Sequence, residues 1–389
     1  MGELKPGWRR VKLGDVVRLN KETCKDPDAE EIERTIGLEH LEPGDLRVRS
    51  WGEVSDGTTF TNRVRAGQVL FGKRRAYQRK VAVADFDAVC SGDIYVLESK
   101  DPARLLPDLL PFICQTDAFF EHAVGTSAGS LSPRTNWTSL GQYELALPPL
   151  AEQRRMLAAL EECTGLVEAA KRLNQATWNV LDSSLTAWAA AASERRALQD
   201  LCRVPVTYGI VKAGLHVDKG VPYIRVADIT AGPRLTMRTM LRTSAEVSQA
   251  YARTILEEGD CVVAVKASRG VVGQARWICG RLAGANISRD VARVAPCSSI
   301  DPRFLYWSLR TSAFMYGIQA RETGWKGDSL REITIAALRT VPVPWVPMDQ
   351  QIQVARRMAE LESAALHSDT HLEATRRMAR AAIEAVLGG

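Results

Sequence analysis

The sequence lacks the features that mark secreted, membrane-spanning and disulfide-stabilised proteins. Its first ten residues, MGELKPGWRR, contain no apolar stretch like that of a signal peptide, and no later apolar run is long enough to span a membrane. The eight cysteines are spread along the 389 residues without a C-x-x-C pair. We therefore expect a cytoplasmic protein with reduced, mostly buried thiols, no membrane partner and no metal site.

Motifs of several enzyme classes are also missing. There is no G-x-x-x-x-G-K-[ST] loop for nucleotide phosphates and no Asn-Pro-Pro-aromatic run like that of adenine methyltransferases. His367 and His371 are four residues apart on a predicted helix, but no H-E-x-x-H motif surrounds them. Glu98 and Lys100 imitate part of a nuclease motif, yet the nearest upstream Pro-Asp, at Asp28, lies in a polar loop. We expect no catalytic residue in this chain.

Charge is distributed unevenly along the sequence. The net charge is +5, but residues 1–148 contain 20 Lys and Arg against 22 Asp and Glu. Residues 149–195 and 346–389 each contain 5 basic against 6 acidic residues, whereas residues 196–345 contain 21 against 12. The whole positive excess therefore lies in residues 196–345. Such a block fits a polyanionic partner, and a solvated basic surface explains it equally well.

What the chain does contain is an internal repeat. ALPPLAEQRRM (146–156) and PVPWVPMDQQIQVARRM (342–358) both pass from prolines through a glutamine into a long helical pattern, which aligns Gln153 with Gln351. Five further pairs of segments match in the same order: 11–20 with 197–206, 34–46 with 221–235, 65–86 with 257–278, 105–123 with 300–314, and 125–137 with 322–333. A period near 195 residues is too long for a solenoid, so a whole domain and its helix are duplicated.

The repeated segments predict a mixed structure. The first three pairs favour strands and turns, including an extended run over 221–235, because β-branched residues and glycines punctuate them. The segments 105–123 and 300–314 favour amphipathic helices, and a loop follows each of them.

Two longer segments, 150–193 and 348–387, predict long helices. Their apolar residues alternate at spacings of three and four, which is typical of a coiled-coil seam. The seam residues are Leu157, Leu160, Val167, Trp178, Leu181 and Leu185 in the first helix, and Met358, Leu372 and Ile383 in the second. Each helix would be roughly 50–60 Å long, and antiparallel packing of one on the other predicts a polar layer between Lys171 and Asp369.

The predicted fold is therefore α+β. Two similar α/β domains, residues 1–147 and 195–345, are linked by two long helices packed as an antiparallel coiled coil. The helical segments are residues 148–194 and 346–389.

These features resemble the DNA specificity subunits of type I restriction–modification systems. The ALPPLAEQRRM joint, PYIRVADI (222–229), EGDCVVAV (258–265) and the order domain–helix–domain–helix carry the resemblance over essentially the full chain. It implies that each domain is a target recognition domain for one half of a split sequence in double-stranded DNA. It also implies that the helices set the spacing between the halves and bind two methyltransferase subunits.

The same resemblance implies that restriction subunits with ATP-driven translocation join the complex. S-adenosylmethionine, ATP and Mg²⁺ would then bind to the partner subunits, and this chain would be non-catalytic.

Two kinds of loop contain residues suited to DNA contact. Arg and Lys pair with guanine, and Asn and Gln pair with adenine, in the major groove. Within the repeated strand segments the candidates are Lys73, Arg74, Arg75, Tyr77, Gln78, Arg79 and Lys80, with Lys266, Arg269, Gln274 and Arg276 in the second copy. In the loops after the amphipathic helices they are Ser130, Arg134 and Asn136, with Arg321, Trp325, Lys326 and Arg331 in the second copy. The alternative is a solvated surface that contacts no DNA.

A row of apolar residues on the first long helix, Leu166, Leu173 and Val180, lies off the seam and either binds a methyltransferase subunit or packs on the recognition domains. Two other classes of protein remain open. One is a non-catalytic structural adaptor that bridges protein partners without reading bases. The other is a self-contained nuclease or methyltransferase.

Overall fold

The computed structural model describes residues 4–232, 234–324 and 330–387. The chain divides into two compact units. Unit 1 comprises Met1–Lys171 and His371–Gly389, and unit 2 comprises Arg172–Thr370. Within the described residues no helix combines the length and the apolar character that crossing a membrane requires.

Among the residues that the structure describes, unit 1 has ten strands, most of them short. Its elements are β1 (Arg9–Lys12), α1 (Leu13–Val16), β2 (Val17–Asn20), β3 (Arg34–Ile36), β4 (Gly52–Glu53), β5 (Asn62–Val64), β6 (Val69–Gly72), β7 (Val81–Val83), β8 (Ala88–Cys90), β9 (Ile94–Ser99), α2 (Leu110–Ile113), α3 (Asp117–Gly125), α4 (Trp137–Leu140), β10 (Glu144–Leu147) and the first part of α5 (Leu150–Ala191). Sheets of order β2-β9-β6-β7 and β4-β3-β8-β5 form its body, and β1 pairs with β10.

Unit 2 is built in the same way. Its elements are β11 (Glu194–Ala197), β12 (Thr207–Tyr208), β13 (Val221–Ile224), α6 (Val226–Thr230), β14 (Arg242–Thr243), α7 (Ala245–Ala250), β15 (Cys261–Ala264), β16 (Lys266–Ser268), β17 (Ala275–Trp277), β18 (Asn286–Ile287), β19 (Val291–Val294), α8 (Pro302–Ser308), α9 (Ser312–Gln319), β20 (Leu330–Glu332), α10 (Ile335–Arg339), β21 (Pro342–Trp345) and most of α11 (Met348–Leu387). The sheets have the orders β12-β19-β15-β17, β14-β13-β18, β11-β21 and β16-β20.

The strand orders of the two units correspond. The four-stranded sheet β2-β9-β6-β7 has the same connections as β12-β19-β15-β17. The parallel pair β3–β8 matches the parallel pair β13–β18, and β1–β10 matches β11–β21, which directly precedes the second long helix. The sequence repeat is therefore a repeat of topology.

Residues that match in sequence also have the same structural role. Gly67 and Gly259 have φ of +87° and +90°, a region that L side chains rarely adopt, and each lies just before the central strand β6 or β15. Thr116 and Thr311 are the N-caps of α3 and α9. Each hydroxyl accepts a hydrogen bond from the backbone N–H three residues later, at 3.3 and 3.2 Å.

The predicted helices are right in place but wrong in continuity. The segment 105–123 forms a 3₁₀ turn followed by α2 and α3, and 300–314 is divided between α8 and α9. The two N-cap threonines cause the break, because their backbones are extended, with ψ of 150° and 147°. The extended run predicted over 221–235 is also wrong beyond β13, since Asp228 caps the helix α6 by accepting from the N–H of Arg225 at 2.9 Å.

Each unit has its own core, and most of the predicted seam residues pack in it. In unit 1 the seam residues in contact with the core are Leu157, Leu160 and Ile383. In unit 2 they are Trp178, Leu181, Leu185 and Met358. Val167 and Leu372 are partly buried outside both cores. In each unit, residues of both long helices therefore belong to the same apolar cluster as residues of the sheets.

The predicted polar layer between Lys171 and Asp369 is wrong, because each side chain has another partner. Lys171 Nζ donates to Asp45 Oδ2 at 2.7 Å and to Glu168 Oε1 at 3.0 Å in unit 1. Asp369 Oδ1 accepts from Asn174 Nδ2 at 2.6 Å in unit 2.

All eight cysteines are free. Four of them are buried, three are partly buried, and Cys279 is exposed. Burial raises the pKa of Cys90 to about 12, so this thiol is protonated and unreactive at neutral pH.

Candidate nucleic-acid interface

In unit 1 the connection between β6 and β7 is a tightly constrained turn. Arg75 and Arg79 have φ of +54° and +57° on either side of a 3₁₀ turn, Ala76–Gln78. A left-handed backbone costs a residue with a side chain roughly 1–2 kcal/mol, so the surrounding structure must hold it. Ala76 anchors the turn in the core, and Tyr77 projects from it with 56% of its surface exposed.

The loop after α3 lies against this turn. The N–H of Arg75 donates to the carbonyl of Pro133 at 2.8 Å, and the N–H of Thr135 donates to the carbonyl of Lys73 at 3.0 Å. Between these bonds, Arg74 and Arg134 face each other in an antiparallel bridge. The structure therefore brings together the two sets of residues that the sequence predicted separately in the first copy.

Asp93 and Ser132 organise the arginine side chains at this place. Arg74 Nη1 lies 3.2 Å from Asp93 Oδ2, and Arg134 Nε lies 2.8 Å from Asp93 Oδ1. The hydrogen bond from Arg134 lowers the pKa of Asp93; burial opposes it, and Arg74 lowers the pKa further. Ser132 Oγ accepts from Arg74 at 3.1 Å and from Arg75 at 3.4 Å. Two guanidinium groups thus meet one carboxylate, and a third, that of Arg75, meets Ser132, which leaves a net positive charge on fixed side chains.

Other candidates in unit 1 make contacts within the protein. Lys73 Nζ lies 4.7 Å from the centre of the Tyr95 ring, and Lys80 Nζ donates to a backbone carbonyl at 2.6 Å. Arg79 pairs with Asp117 at 2.7 Å and lies over an aromatic ring. These contacts give Arg79 a structural role. Arg74, Arg75 and Arg134 remain as candidate DNA-contacting cations where the β6–β7 turn meets the loop after α3.

The remaining polar candidates of unit 1 differ in availability. Asn136 Oδ1 accepts from the N–H of Ser139 at 2.8 Å and caps α4. This bond fixes the orientation of the Asn136 amide. Ser130 is exposed and Gln78 is partly buried. Beside Ser130, Leu131 is 91% exposed at the end of the loop.

Unit 2 repeats the backbone arrangement with different side chains. The strand β16 pairs with β20, with Lys266 opposite Glu332 and Ala267 opposite Arg331. The N–H of Ile333 donates to the carbonyl of residue 265 at 2.9 Å, as Thr135 does to residue 73 in unit 1. Lys266 Nζ lies 3.1 Å from Glu332 Oε2. The place that holds two arginines in unit 1 therefore holds an ion pair in unit 2.

Some candidates of unit 2 are committed to the protein backbone. Arg276 donates through Nε and Nη2 to the carbonyl of Gly232 at 3.3 and 3.0 Å, and burial lowers the pKa of Arg276. Arg321 donates to the carbonyl of Gly317 at 3.0 Å. Both guanidinium groups have structural roles, which leaves the prediction of DNA contact without geometric support at these two positions.

Three further candidates of unit 2 remain available in different degrees. Arg269 is exposed, Arg331 is partly buried, and Gln274 donates to the carbonyl of residue 270 at 3.2 Å. Trp325 and Lys326 lie outside the described residues.

The sequence interpretation missed the acids and one exposed loop. Asp93 and Asp290 occupy equivalent places, since their carbonyls accept from the N–H groups of Lys73 and Val265. Their shared setting, SGD and SRD before a strand, was a signal that the repeat offered.

In unit 2, residues 211–219 are exposed apart from residue 213, and the loop presents apolar side chains together with two lysines. The exposed apolar residues are Val211 at 43%, Leu215 at 90% and Val217 at 39%.

The apolar row on the first long helix is exposed. Leu166, Leu173 and Val180 are 64%, 53% and 48% accessible. Packing on the recognition domains, one of the two alternatives, is therefore wrong for this row. In the part of the chain that the structure describes, no group of three His, Cys, Asp or Glu side chains could hold a metal ion.

These features define a class of protein: a duplicated α+β unit attached to two long helices, with paired loops held by the same backbone bonds at one place in each unit. Residues 5–176 match the family model described as "Type I restriction modification DNA specificity domain". The chain is 28% identical over 159 residues to the type I restriction enzyme EcoDI specificity subunit of Escherichia coli, which covers 36% of this chain and 34% of that protein. It is 24% identical over 285 residues to the EcoBI specificity subunit of the same organism, covering 62% and 58%.

Residues 5–176, under half of the chain, are thus similar to the type I restriction–modification DNA specificity domain, and the chain is similar to specificity subunits of such systems. The matches span less than two thirds of the length of both relatives. A solved structure from work on complex assembly and conformational transition of the type I restriction–modification system aligns over 100% of both chains, with a TM-score of 0.62 and 19% identity. That likeness shows a shared fold.

Proposed function

We propose that this chain is the sequence-specific DNA-binding subunit of a type I restriction–modification complex. Residues 1–147 and 195–345 act as target recognition domains, and each contacts one half of a bipartite target. The chain itself is non-catalytic and directs two methyltransferase subunits and the restriction subunits to the site. S-adenosylmethionine, ATP and Mg²⁺ bind to those partners, and the complex works in the cytoplasm.

One observation carries this proposal. In unit 1 the turn after β6 and the loop after α3 join at Arg74 and Arg134, and Asp93 and Ser132 hold the guanidinium groups in place. Arginine is the side chain that most often contacts guanine, because its fork matches the two acceptors on the base. A fixed fork loses less conformational entropy on binding than a mobile one.

The long helices, residues 148–194 and 346–389, act in the proposal as an antiparallel coiled coil that keeps the two recognition domains a set distance apart. Two observations support antiparallel packing. Leu160 near the start of the first helix shares a cluster with Ile383 near the end of the second, in unit 1. Leu181 near the end of the first helix shares a cluster with Met358 near the start of the second, in unit 2.

Methylation mapping tests the proposal directly. The chain is co-expressed with the methyltransferase genes that neighbour its own gene, and methylated bases are sequenced. We expect one asymmetric motif made of two short sequences separated by a constant number of unspecified base pairs. A strain with the methyltransferase genes but without this chain is the control, and it should methylate no such motif.

Salt dependence separates DNA binding from the adaptor alternative. A protein that neutralises phosphates loses affinity linearly with log salt, with a slope of about −0.9 per phosphate on B-DNA. Binding of the purified complex to its mapped site should follow this law. An adaptor that bridges only proteins predicts no affinity for the DNA site at any salt concentration, and that result would overturn the proposal.

A further inference from the structure

The repeated joint between each unit and its long helix contains a buried glutamine that has no solvent contact. Gln153 and Gln351 are both 0% exposed. Only two residues separate β10 from α5, and the same number separates β21 from α11. Each glutamine lies in the first turn of the helix, where its own N–H donates at 3.0 Å to the carbonyl of Pro149 or Pro347.

In unit 1 the side chain of Gln153 fastens the helix to the sheet domain at three points. Its Oε1 accepts from the N–H of Leu106 at 2.9 Å, and its Nε2 donates to the carbonyls of Arg104 at 2.8 Å and Pro148 at 2.9 Å. These partners lie on two separate segments, the turn before α2 and the end of the strand pair β1–β10.

Gln351 makes the same three bonds in unit 2. Its Oε1 accepts from the N–H of Asp301 at 2.7 Å, and its Nε2 donates to the carbonyls of Val346 at 2.7 Å and Ser299 at 3.4 Å. Asp301 is the N-cap of α8, so the contacted turn again precedes a helix of the domain. Two independent copies therefore preserve one arrangement of an amide and three backbone groups.

The chemistry of the site selects glutamine. Each site offers one N–H and two carbonyl groups, and a primary amide supplies one acceptor and two donors. An ionised carboxylate only accepts, and an ammonium group only donates. Buried backbone groups left without a partner are costly, so the amide holds the helix in one direction relative to its domain.

We propose that Gln153 and Gln351 are positioning residues that fix the number of base pairs between the two halves of the DNA target. The inference rests on the proposed function. Because the helices keep the two domains apart, the direction in which each domain leaves its helix decides where that domain meets the duplex. A loosened joint leaves the base contacts intact and lets the distance between them vary.

The test compares methylated motifs in strains that express the wild type, Gln153→Met, Gln351→Met and the double variant. Methionine has a similar length but forms none of the three bonds. We expect every variant to keep the bases of both half-sites. Methylation at sites whose spacer is one base pair longer or shorter should rise by about tenfold in the double variant, because a small loss of bias shifts populations by such factors.

The matched controls are exposed glutamines on the same helices, Gln175→Met and Gln350→Met. They should keep the wild-type spacer. Gln153→Glu and Gln351→Glu should relax the spacer less than methionine does, since a neutral carboxyl can still accept from the N–H and donate to one carbonyl. This order also keeps the test decisive if the double variant fails to fold, as the glutamate variants and single variants are milder.

Three results would overturn the inference. The first is folded methionine variants, verified by thermal melting, that methylate only the wild-type spacer. The second is a change in the half-site bases with the spacer unchanged, which would mean that the glutamines shape the recognition loops. The third is a wild type that methylates no split motif; that result would remove the proposed function, and this inference with it.

Discussion

Unit 1 and unit 2 hold different side chains at one place in the same topology. Arg74 and Arg134 face each other across Asp93 in unit 1, whereas Lys266 faces Glu332 in unit 2. The backbone bonds that create the place are the same in both. The local charge is positive in the first unit and neutral in the second. The net charges run the other way, because residues 1–148 have a small acidic excess and residues 196–345 have a basic excess.

This difference teaches which residues belong to the scaffold. The capping threonines, the glycines before the central strands and the glutamines of the joints are the same in both units. Loop side chains differ where the backbone is the same. Positions that hold the fold are therefore repeated, and positions that would meet different sequences have diverged.

The largest expected difference between the units concerns a buried charge. Asp260 is 0% exposed and accepts from Arg293 Nε and Arg203 Nη2, both at 2.7 Å. Gln68 holds the equivalent turn in unit 1 and donates to Glu98 at 3.3 Å. Removing one partner of a buried pair costs about 3–5 kcal/mol. We expect Asp260→Asn to lower the free energy of unfolding of unit 2 by about that amount.

Gln68→Ala should cost unit 1 only about 1 kcal/mol, because it removes neutral or partly exposed bonds. Urea unfolding of both variants measures the two values. Asp290→Asn, which removes an exposed pair with Arg289, is the control for loss of an acid in unit 2 and should change little. Equal losses of unfolding free energy in Asp260→Asn and Gln68→Ala would mean that the buried ion pairs of Asp260 stabilise unit 2 no more than the Gln68 amide stabilises unit 1.

The next effect concerns base readout. Arg74→Ala should relax one base position in one half-site, at a cost of about 1–3 kcal/mol, because its guanidinium is fixed and the local charge is positive. Lys266→Ala should weaken binding less, since Glu332 already neutralises this lysine. Methylation mapping and salt-dependent binding of both variants measure the difference.

Arg269→Ala tests the exposed cation of unit 2, and it should relax the other half-site if this residue contacts a base. Arg172→Ala, on the exposed face of the first long helix, is the control and should leave both half-sites unchanged. Unchanged motifs in Arg74→Ala and Arg269→Ala together would end the assignment of the loops as base readers.

Local patterns predicted the helices and the joints well. The long helices were predicted over 150–193 and 348–387, and they span Leu150–Ala191 and Met348–Leu387. Prolines and a 3–4 apolar spacing are adjacent in sequence, so they can be recognised without tertiary contacts. The sequence also contained a signal for the helix breaks at Thr116 and Thr311, because a threonine before an apolar run is typical of an N-cap.

Contacts between distant residues could not be predicted in this way. The partners of Asp93 are 19 and 41 residues away, and those of Arg276 lie on a loop 44 residues away. The sequence therefore does not reveal whether the side chain of a basic residue is free, paired with an acid or hydrogen-bonded to a backbone carbonyl. The Lys171–Asp369 pair failed for the same reason, since a turn of the sheet domain supplies Asp45 instead.

Acid should destabilise unit 1. In the described part of the chain, all carboxyl groups with a resolved lowering of the pKa lie in unit 1: Glu22, Asp45, Asp93, Asp117 and Glu168. For Asp45, burial raises the pKa, but hydrogen bonds led by that from Lys171 lower it more. A folded pKa below the unfolded value means that the stabilisation is present at neutral pH.

This stabilisation is lost as the pH falls below about 4, through the unfolded and then the folded pKa values. Thermal melting between pH 7 and pH 3, with hydrogen exchange to separate the units, measures the loss. Asp45→Asn should be less stable at pH 7 and should show a weaker dependence on pH. A unit 1 that keeps its full stability at pH 3 would contradict the assignment of these carboxyl groups.

The smallest expected effect is the coupling free energy of the polar side-chain pairs that the long helices make in each unit. Asn174 and Asp369 are joined by a partly buried, charge-assisted hydrogen bond, so a double-mutant cycle of Asn174→Ala and Asp369→Ala should give a coupling of about 1 kcal/mol. Lys171 and Asp45 should couple by a similar amount in unit 1, where a helix meets a sheet domain. Lys171 and Asp369 should not couple, because the substitution of either residue removes no hydrogen-bond partner of the other. Coupling of that third pair with independence of the first two would restore the polar layer expected from the seam alone.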